Sequence, residues 1–232
     1  MIKLKLSILM LLLSTLSNAQ MFHANTDVYS LTLNAEKAMN VQITIKTEKS
    51  FCMSRFEFLT DDNEVILKNE FMMNKEKVVF DIPIAKGNYS LVYTGTTGCN
   101  NKHFDISLTK TLGNFEQELN DDIASATSIK DGVYYYGYIQ KPKDEDFYKI
   151  ILNKKTKVRF VFEHKNIQGY GAYTIDVLND KSKKTTTFKS SVSTLKNVEK
   201  KTLEAGTYYI KISAPYSTVI YHQYRLAYST SK

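Results

Sequence analysis

The chain has 232 residues, with 31 Lys and Arg against 24 Asp and Glu, for a formal net charge of +7. Nine glycines and three prolines are too few for a fibrous or disordered chain, and two cysteines with scattered histidines supply no four-ligand zinc site. Sixteen tyrosines and twelve phenylalanines, with no tryptophan, favour pleated, half-buried surfaces.

Lys3 and Lys5 precede an apolar run, Leu6 to Leu16, broken only by Ser and Thr. Ser17-Asn18-Ala19 then offers the small residues a signal peptidase inspects. The run is shorter than the roughly 20 residues a spanning helix takes. It reads as a secretory signal peptide over residues 1–19, with a retained N-terminal anchor as the other possibility. The reading predicts an exported chain starting at Gln20 and bound for the periplasm, the cell surface or the medium, without stable membrane insertion.

After this segment no stretch shows a helical period. Short alternating runs bounded by polar turns predict strands. In the first half they are Val28–Leu33, Asn40–Thr47, Arg55–Thr60, Glu64–Lys68, Lys77–Ile82, Tyr89–Gly95 and His103–Lys110. In Val41-Gln42-Ile43-Thr44-Ile45 the apolar residues alternate, which predicts one buried and one wet face. The second half runs Gly132–Ile139, Asp146–Leu152, Lys157–Glu163, Ala172–Leu178, Thr185–Ser190, Thr194–Lys200, Thr207–Ser213 and Gln223–Tyr228. The halves echo each other: Ile84-Ala85-Lys86-Gly87-Asn88-Tyr89 parallels Leu203-Glu204-Ala205-Gly206-Thr207-Tyr208, and Phe104-Asp105-Ile106 parallels Tyr224-Arg225-Leu226. The prediction is an all-β chain of tandem antiparallel, jelly-roll-like β-sandwiches, 20–112 and 113–232.

Charge is uneven between them. Residues 20–112 carry 10 Lys/Arg and 11 Asp/Glu, net −1, and residues 113–232 carry 19 and 13, net +6. Seven of these lysines fall between Lys181 and Lys201. Such a run either protects a strand edge or attracts anionic partners. Cys52 and Cys99 fall in predicted loops at one end of the first sandwich, and in an exported chain such a pair is most simply a disulfide. A bridge there closes a loop of about 46 residues and contributes roughly 4 kcal/mol. Two free thiols are the alternative.

The most specific feature is Glu116-Gln117-Glu118-Leu119-Asn120-Asp121. In an extended segment Glu116, Glu118 and Asn120 share a face. Asp144-Glu145-Asp146 forms a second acidic cluster. Read as residues alone, this is either a solvated acidic linker or a shell for calcium, which takes 6–8 oxygen ligands.

Five elements in order resemble the bacterial pre-peptidase C-terminal domain and its relatives, the collagen-binding domains of clostridial collagenases. They are Glu116–Asp121, Ala126–Ile129, Asp144–Tyr148, Leu203–Tyr209 and Tyr224–Leu226, and together they span Glu116–Ser229. A weaker copy spans 27–110. The resemblance implies an eight- or nine-stranded sandwich that binds calcium through Glu116, Glu118, Asn120, Asp121 and Asp146, with a backbone carbonyl from Tyr224. The collagen-binding relatives place a further acidic ligand where this chain has Lys143, so either Asp144 substitutes or the site is weaker. The first half keeps only Asp27 of the pattern, so no site is expected there. The ion would pin residues 116–122 against the second sandwich.

Thirteen of the sixteen tyrosines follow Gly113. Tyr134, Tyr135, Tyr136 and Tyr138 cannot all face inward in a strand of period two. Tyr170, Tyr216 and Tyr221 lie in or near loops, where they either cover the sandwich ends or present contact area to a ligand. No nucleophile elbow or phosphate loop is present, and the carboxylates read as cation ligands rather than glycosidase acids. No nucleic-acid motif interleaves the lysines. The expectation is a non-catalytic, calcium-binding accessory module recognising an extracellular protein or polysaccharide. Its alternative is a regulatory partner, inhibitor or chaperone, of a secreted protease.

Overall fold

The computed structural model describes residues 20–24, 28–47, 53–72, 77–95, 104–139, 144–164, 172–191, 194–214 and 223–231. The predicted signal segment, Cys52, Cys99, Lys143, Tyr170, Tyr216 and Tyr221 lie outside them. All regular structure among the described residues is β-strand, and no helix there is long and apolar enough to cross a membrane.

The chain divides into two compact units, Met1–Leu112 and Gly113–Lys232. The first contains β1 (Gln20–Ala24), β2 (Val28–Ala35), β3 (Met39–Thr47), β4 (Met53–Thr60), β5 (Val65–Met72), β6 (Lys77–Ile84), β7 (Gly87–Gly95) and β8 (Phe104–Leu112). They form two antiparallel sheets in the orders β1-β8-β3-β6 and β2-β7-β4-β5, which is the jelly-roll arrangement. Phe56 of β4 stacks on Phe80 of β6 with ring centroids 4.9 Å apart, joining the two sheets.

The second unit contains β9 (Thr127–Ser128), β10 (Tyr135–Tyr138), β11 (Glu145–Leu152), β12 (Thr156–His164), β13 (Ala172–Asn179), β14 (Lys184–Ser191), β15 (Lys196–Leu203), β16 (Gly206–Ser213) and β17 (Gln223–Thr230). Its sheets run β10-β17-β12-β15 and β14-β13-β16-β11-β9. Shifting each number down by nine reproduces the first unit strand for strand, with β9 added parallel to β11. The register irregularity recurs too: it falls at Phe58/Leu59 of β4 and at Val177/Leu178 of β13.

Period-two alternation builds the second core. Val158, Phe160 and Phe162 of β12 meet Ile175 and Val177 of β13 and Ile210 and Ile212 of β16, all fully buried. In β3 the expected wet face is partly covered: Thr44 is buried, half-buried Gln42 donates to Asp81 Oδ1 at 3.1 Å, and Lys46 is exposed. The strand is interior, between β8 and β6, so side chains of both neighbours, such as Asp81 of β6, flank its outer face. β1 and β9 are additions to the strands read from sequence. β1 abuts the signal-like segment, and two residues are too few to show a period.

β14 and β15 are each the outermost strand of their sheet, and Lys184, Lys189, Lys196, Lys200 and Lys201 on them are solvent-facing. The lysine run therefore lies on sheet edges, where charge discourages pairing with another chain.

Candidate metal centre

Residues 113–122 form no regular strand, yet they are stitched to both sheets of the second unit. Glu116 N donates to Tyr136 O (2.9 Å) and Tyr136 N to Asn114 O (2.8 Å), which ties the segment to β10. Phe147 N donates to Asn120 O at 2.9 Å, which ties it to β11. Phe115 anchors the entry, buried against the Tyr136 ring at 5.7 Å. The extended backbone turns alternate residues inward. Glu116, Glu118 and Asn120 are buried, whereas Gln117 and Asp121 are exposed.

β11 supplies the facing carboxylates. Asp146 lies on its inward face, two residues before buried Tyr148, and Asp144 just before the strand is also buried. Glu116, Glu118 and Asp146 each bring a carboxylate oxygen within 4.8 Å of the others. Glu116 and Asp146 are 0% exposed, Asp144 2% and Glu118 8%.

Glu116 and Asp146 accept from one backbone amide and two phenols. Tyr138 N donates to Glu116 Oε1 at 2.6 Å. Two phenols reach the rest: Tyr148 OH donates to Glu116 Oε2 (2.9 Å), and Tyr224 OH donates to Glu116 Oε2 (2.9 Å) and Asp146 Oδ2 (2.5 Å). The two phenol oxygens are themselves 2.8 Å apart. Two phenolic protons thus face four oxygen–oxygen contacts. Asp146 Oδ1 and both side-chain atoms of Asn120 are buried with no hydrogen-bond partner, a costly arrangement unless something else binds them.

The electrostatics carry the same deficit. Burial, with the Asp144 charge a smaller cause, lifts the Glu116 carboxyl to about 8, against the pull of its three hydrogen bonds. Burial first, then the charges of Glu116, Asp144 and Glu118, pushes Asp146 well above the carboxylate range. Burial and the same carboxylates raise the Tyr148 and Tyr224 phenols. A buried like-charge cluster holds either extra protons or a cation. Among the described residues every candidate ligand atom is an oxygen, from carboxylate or amide. That set suits a hard divalent ion.

Of the residues read from sequence, Glu116, Glu118, Asn120, Asp144, Asp146 and Tyr224 are buried, whereas Asp121 is exposed. Tyr224 differs from expectation in the group it offers. Its backbone lies in the sheet between Gly137 of β10 and His164 of β12, and its hydroxyl reaches the carboxylates. Sequence reasoning missed Tyr148 and Gly137. A Cβ on Gly137 would stand 2.4 Å from Tyr224 Cζ and Oη and 2.5 Å from Glu116 Oε2. A glycine inside a strand is the signal for such close approach.

A buried Ser–His pair also lies in this unit. His164 Nε2 is 2.8 Å from Ser190 Oγ and 3.0 Å from the Ser191 carbonyl oxygen. A carbonyl only accepts, so Nε2 carries the proton. Ser190 Oγ donates its own to Thr194 O at 2.8 Å. The protons run opposite to the direction that activates a serine nucleophile.

No family model matches the chain, and neither does any curated protein. Solved structures similar to it include the tandem CBM51 modules of Sp3GH98, a family 98 glycoside hydrolase from Streptococcus pneumoniae, at 12% identity and TM-score 0.30, covering 90% of this chain and 83% of that one. PNGase F, a glycosylasparaginase from Flavobacterium meningosepticum, covers 93% and 100% at 8% identity and TM-score 0.34. The M60 catalytic domain of Clostridium perfringens ZmpB with its CBM51-1 and CBM51-2 domains covers 92% of this chain at 8% identity and TM-score 0.32, and this chain spans 34% of that one. Scores this low carry nothing about ligand or activity.

Proposed function

We propose that the chain is an exported, non-catalytic binding module whose second unit is locked by a calcium ion, and that it recognises an extracellular protein or glycan. The observation behind it is the buried cluster of Glu116, Glu118, Asp144 and Asp146 beside the unpartnered Asn120 side chain and Asp146 Oδ1. Glu116, Glu118, Asp146 and the Asn120 amide oxygen would hold the ion, with Asp144 adding negative charge close by. The ion would supply the positive charge that the two phenols cannot.

The same burial argues against catalysis at these carboxylates. Glu116 and Asp146 have no exposed surface, so a substrate bond cannot come within proton-transfer reach of them. The cation is structural in this reading, joining the 116–120 segment to β11.

Thermal unfolding with calcium and with chelator tests it. At calcium 100-fold above its dissociation constant, the native state should gain about 2.7 kcal/mol. The gain should vanish in the Glu118→Ala plus Asp146→Ala double variant. An unchanged midpoint in the native protein would mean that the cluster holds protons instead.

A further inference from the structure

A cleft of about 430 Å³ opens beside the β10-β17-β12-β15 sheet, and it reaches Tyr224 of the metal centre. Tyr136, Glu163, Leu195, Lys196, Gln223 and Arg225 line it. Strand register explains the grouping. Tyr136 faces Arg225, Arg225 faces Glu163, and Glu163 faces Lys196, so one row of side chains crosses four strands on the side away from the core.

The charge of this row is unbalanced. Glu163 Oε2 accepts from Arg225 Nε at 2.7 Å, and its Oε1 lies 2.9 Å from Lys196 Nζ and accepts from Tyr134 OH at 3.1 Å. Burial pushes the Glu163 carboxyl up, but the bonds from Lys196, Arg225 and Tyr134 outweigh it and hold it below the usual range. One carboxylate thus serves two cations, and the row keeps a net positive charge. Four residues back along β12, Arg159 faces Lys200 directly, with Ser229 on its other side. Like charges opposite one another across a ladder are unfavourable. An anionic ligand lying along the strands relieves both rows.

The ligand's chemistry follows from what the cleft offers. β17 and β12 are interior strands, and the edge strand β15 carries lysines that discourage pairing, so an extended peptide finds no favourable backbone edge there. Recognition runs through side chains: the Tyr136 ring, the Gln223 amide, and a carboxylate acceptor beside guanidinium and ammonium donors. Adjacent donors and acceptors next to an aromatic face suit the neighbouring hydroxyls and ring face of a sugar, and the volume is in the range of small-ligand sites.

We propose that this cleft binds an acidic polysaccharide, with a sugar carboxylate on Lys196 and Arg225, the ring against Tyr136, and the chain continuing over Arg159 and Lys200. The proposal rests on the binding-module reading above and names its ligand class.

Calorimetric titration of the calcium-loaded chain with tri-galacturonate, maltotriose and a triglutamate peptide tests it. Tri-galacturonate should bind at least tenfold more tightly than either other probe. Lys196→Gln should weaken it about tenfold with the calcium-induced rise in midpoint retained, and Tyr136→Ala should weaken it by a similar factor. Equal binding of triglutamate would make the cleft a site for charge alone and overturn the proposal. So would absent tri-galacturonate binding, or binding that neither variant changes. A calcium-dependent midpoint without sugar binding sinks the cleft and leaves the cation reading standing; sugar binding without a calcium effect does the reverse.

Discussion

The hydroxyl of Tyr224 stands 2.5 Å from Oδ2 of Asp146, and the two residues come from opposite sheets of the second unit. The candidate centre is therefore part of the interior packing. Tyr224 also packs against Phe162 and Tyr173, with ring centroids 5.3 and 5.9 Å away, so its phenol is held in place from the apolar side. Removing only the oxygen isolates its electrostatic role. In chelator, Tyr224→Phe should cost about 1–3 kcal/mol, because two buried carboxylates lose a donor. In saturating calcium the cost should be smaller, since the ion answers the same oxygens. Equal losses in both conditions, measured by denaturant unfolding, would mean that no ion answers the oxygens the phenol serves.

The pH dependence of the metal-free protein follows from Glu116 and Asp146. Both folded values lie above the unfolded ones, near 4.5 and 3.8, with Glu116 at about 8. A carboxyl raised by folding contributes stability that is fully present below its unfolded value and is lost as pH rises through its folded value. In chelator the unfolding midpoint should therefore fall between pH 6 and pH 9. Calcium competes with those protons, so its stabilising effect should grow over the same interval. Glu116→Gln should flatten the chelator profile. A chelator midpoint that rises from pH 6 to pH 9 would show these carboxyls already ionised at neutral pH.

Gly137 tests the packing around the cluster. An added methyl meets the Tyr224 ring and a Glu116 oxygen at 2.4–2.5 Å, so one of them must move. Gly137→Ala should cost about 1–3 kcal/mol, as overpacking does, and should weaken calcium binding as well. Gly132→Ala is the comparison. Its Cβ meets nothing within 4 Å, so any loss there comes from its backbone φ of +75° and leaves calcium affinity unchanged.

Much of this was legible in sequence because it is local. Alternation placed Glu116, Glu118 and Asn120 on one buried face, and the echo between the halves matches the shared strand order of the two units. What escaped depends on register between distant strands. Tyr148 and Tyr224 are 76 residues apart, and nothing near either one says that their hydroxyls meet. The row Tyr136, Arg225, Glu163, Lys196 draws on four strands, so its net charge emerges only once the ladder is known. The exposed position of Asp121 follows from the same alternation that buries Asn120.

The segment that carries the first ligands should also be the one that calcium protects. Residues 114–122 have no strand of their own and depend on bonds from Glu116 N to β10 and from Phe147 N to Asn120 O. If the ion holds Glu116, Glu118 and Asn120 to Asp146, local opening must release it first. Cleavage through rapid opening tracks the population of the open form. At calcium 100-fold above its dissociation constant, cutting after Glu116 and Glu118 by a glutamate-specific protease should slow by up to about 100-fold relative to chelator. Cutting after Glu57 and Glu64 in the first unit should not change and serves as the internal control. Equal rates after Glu116 in both conditions would show that the segment is held by its backbone bonds alone.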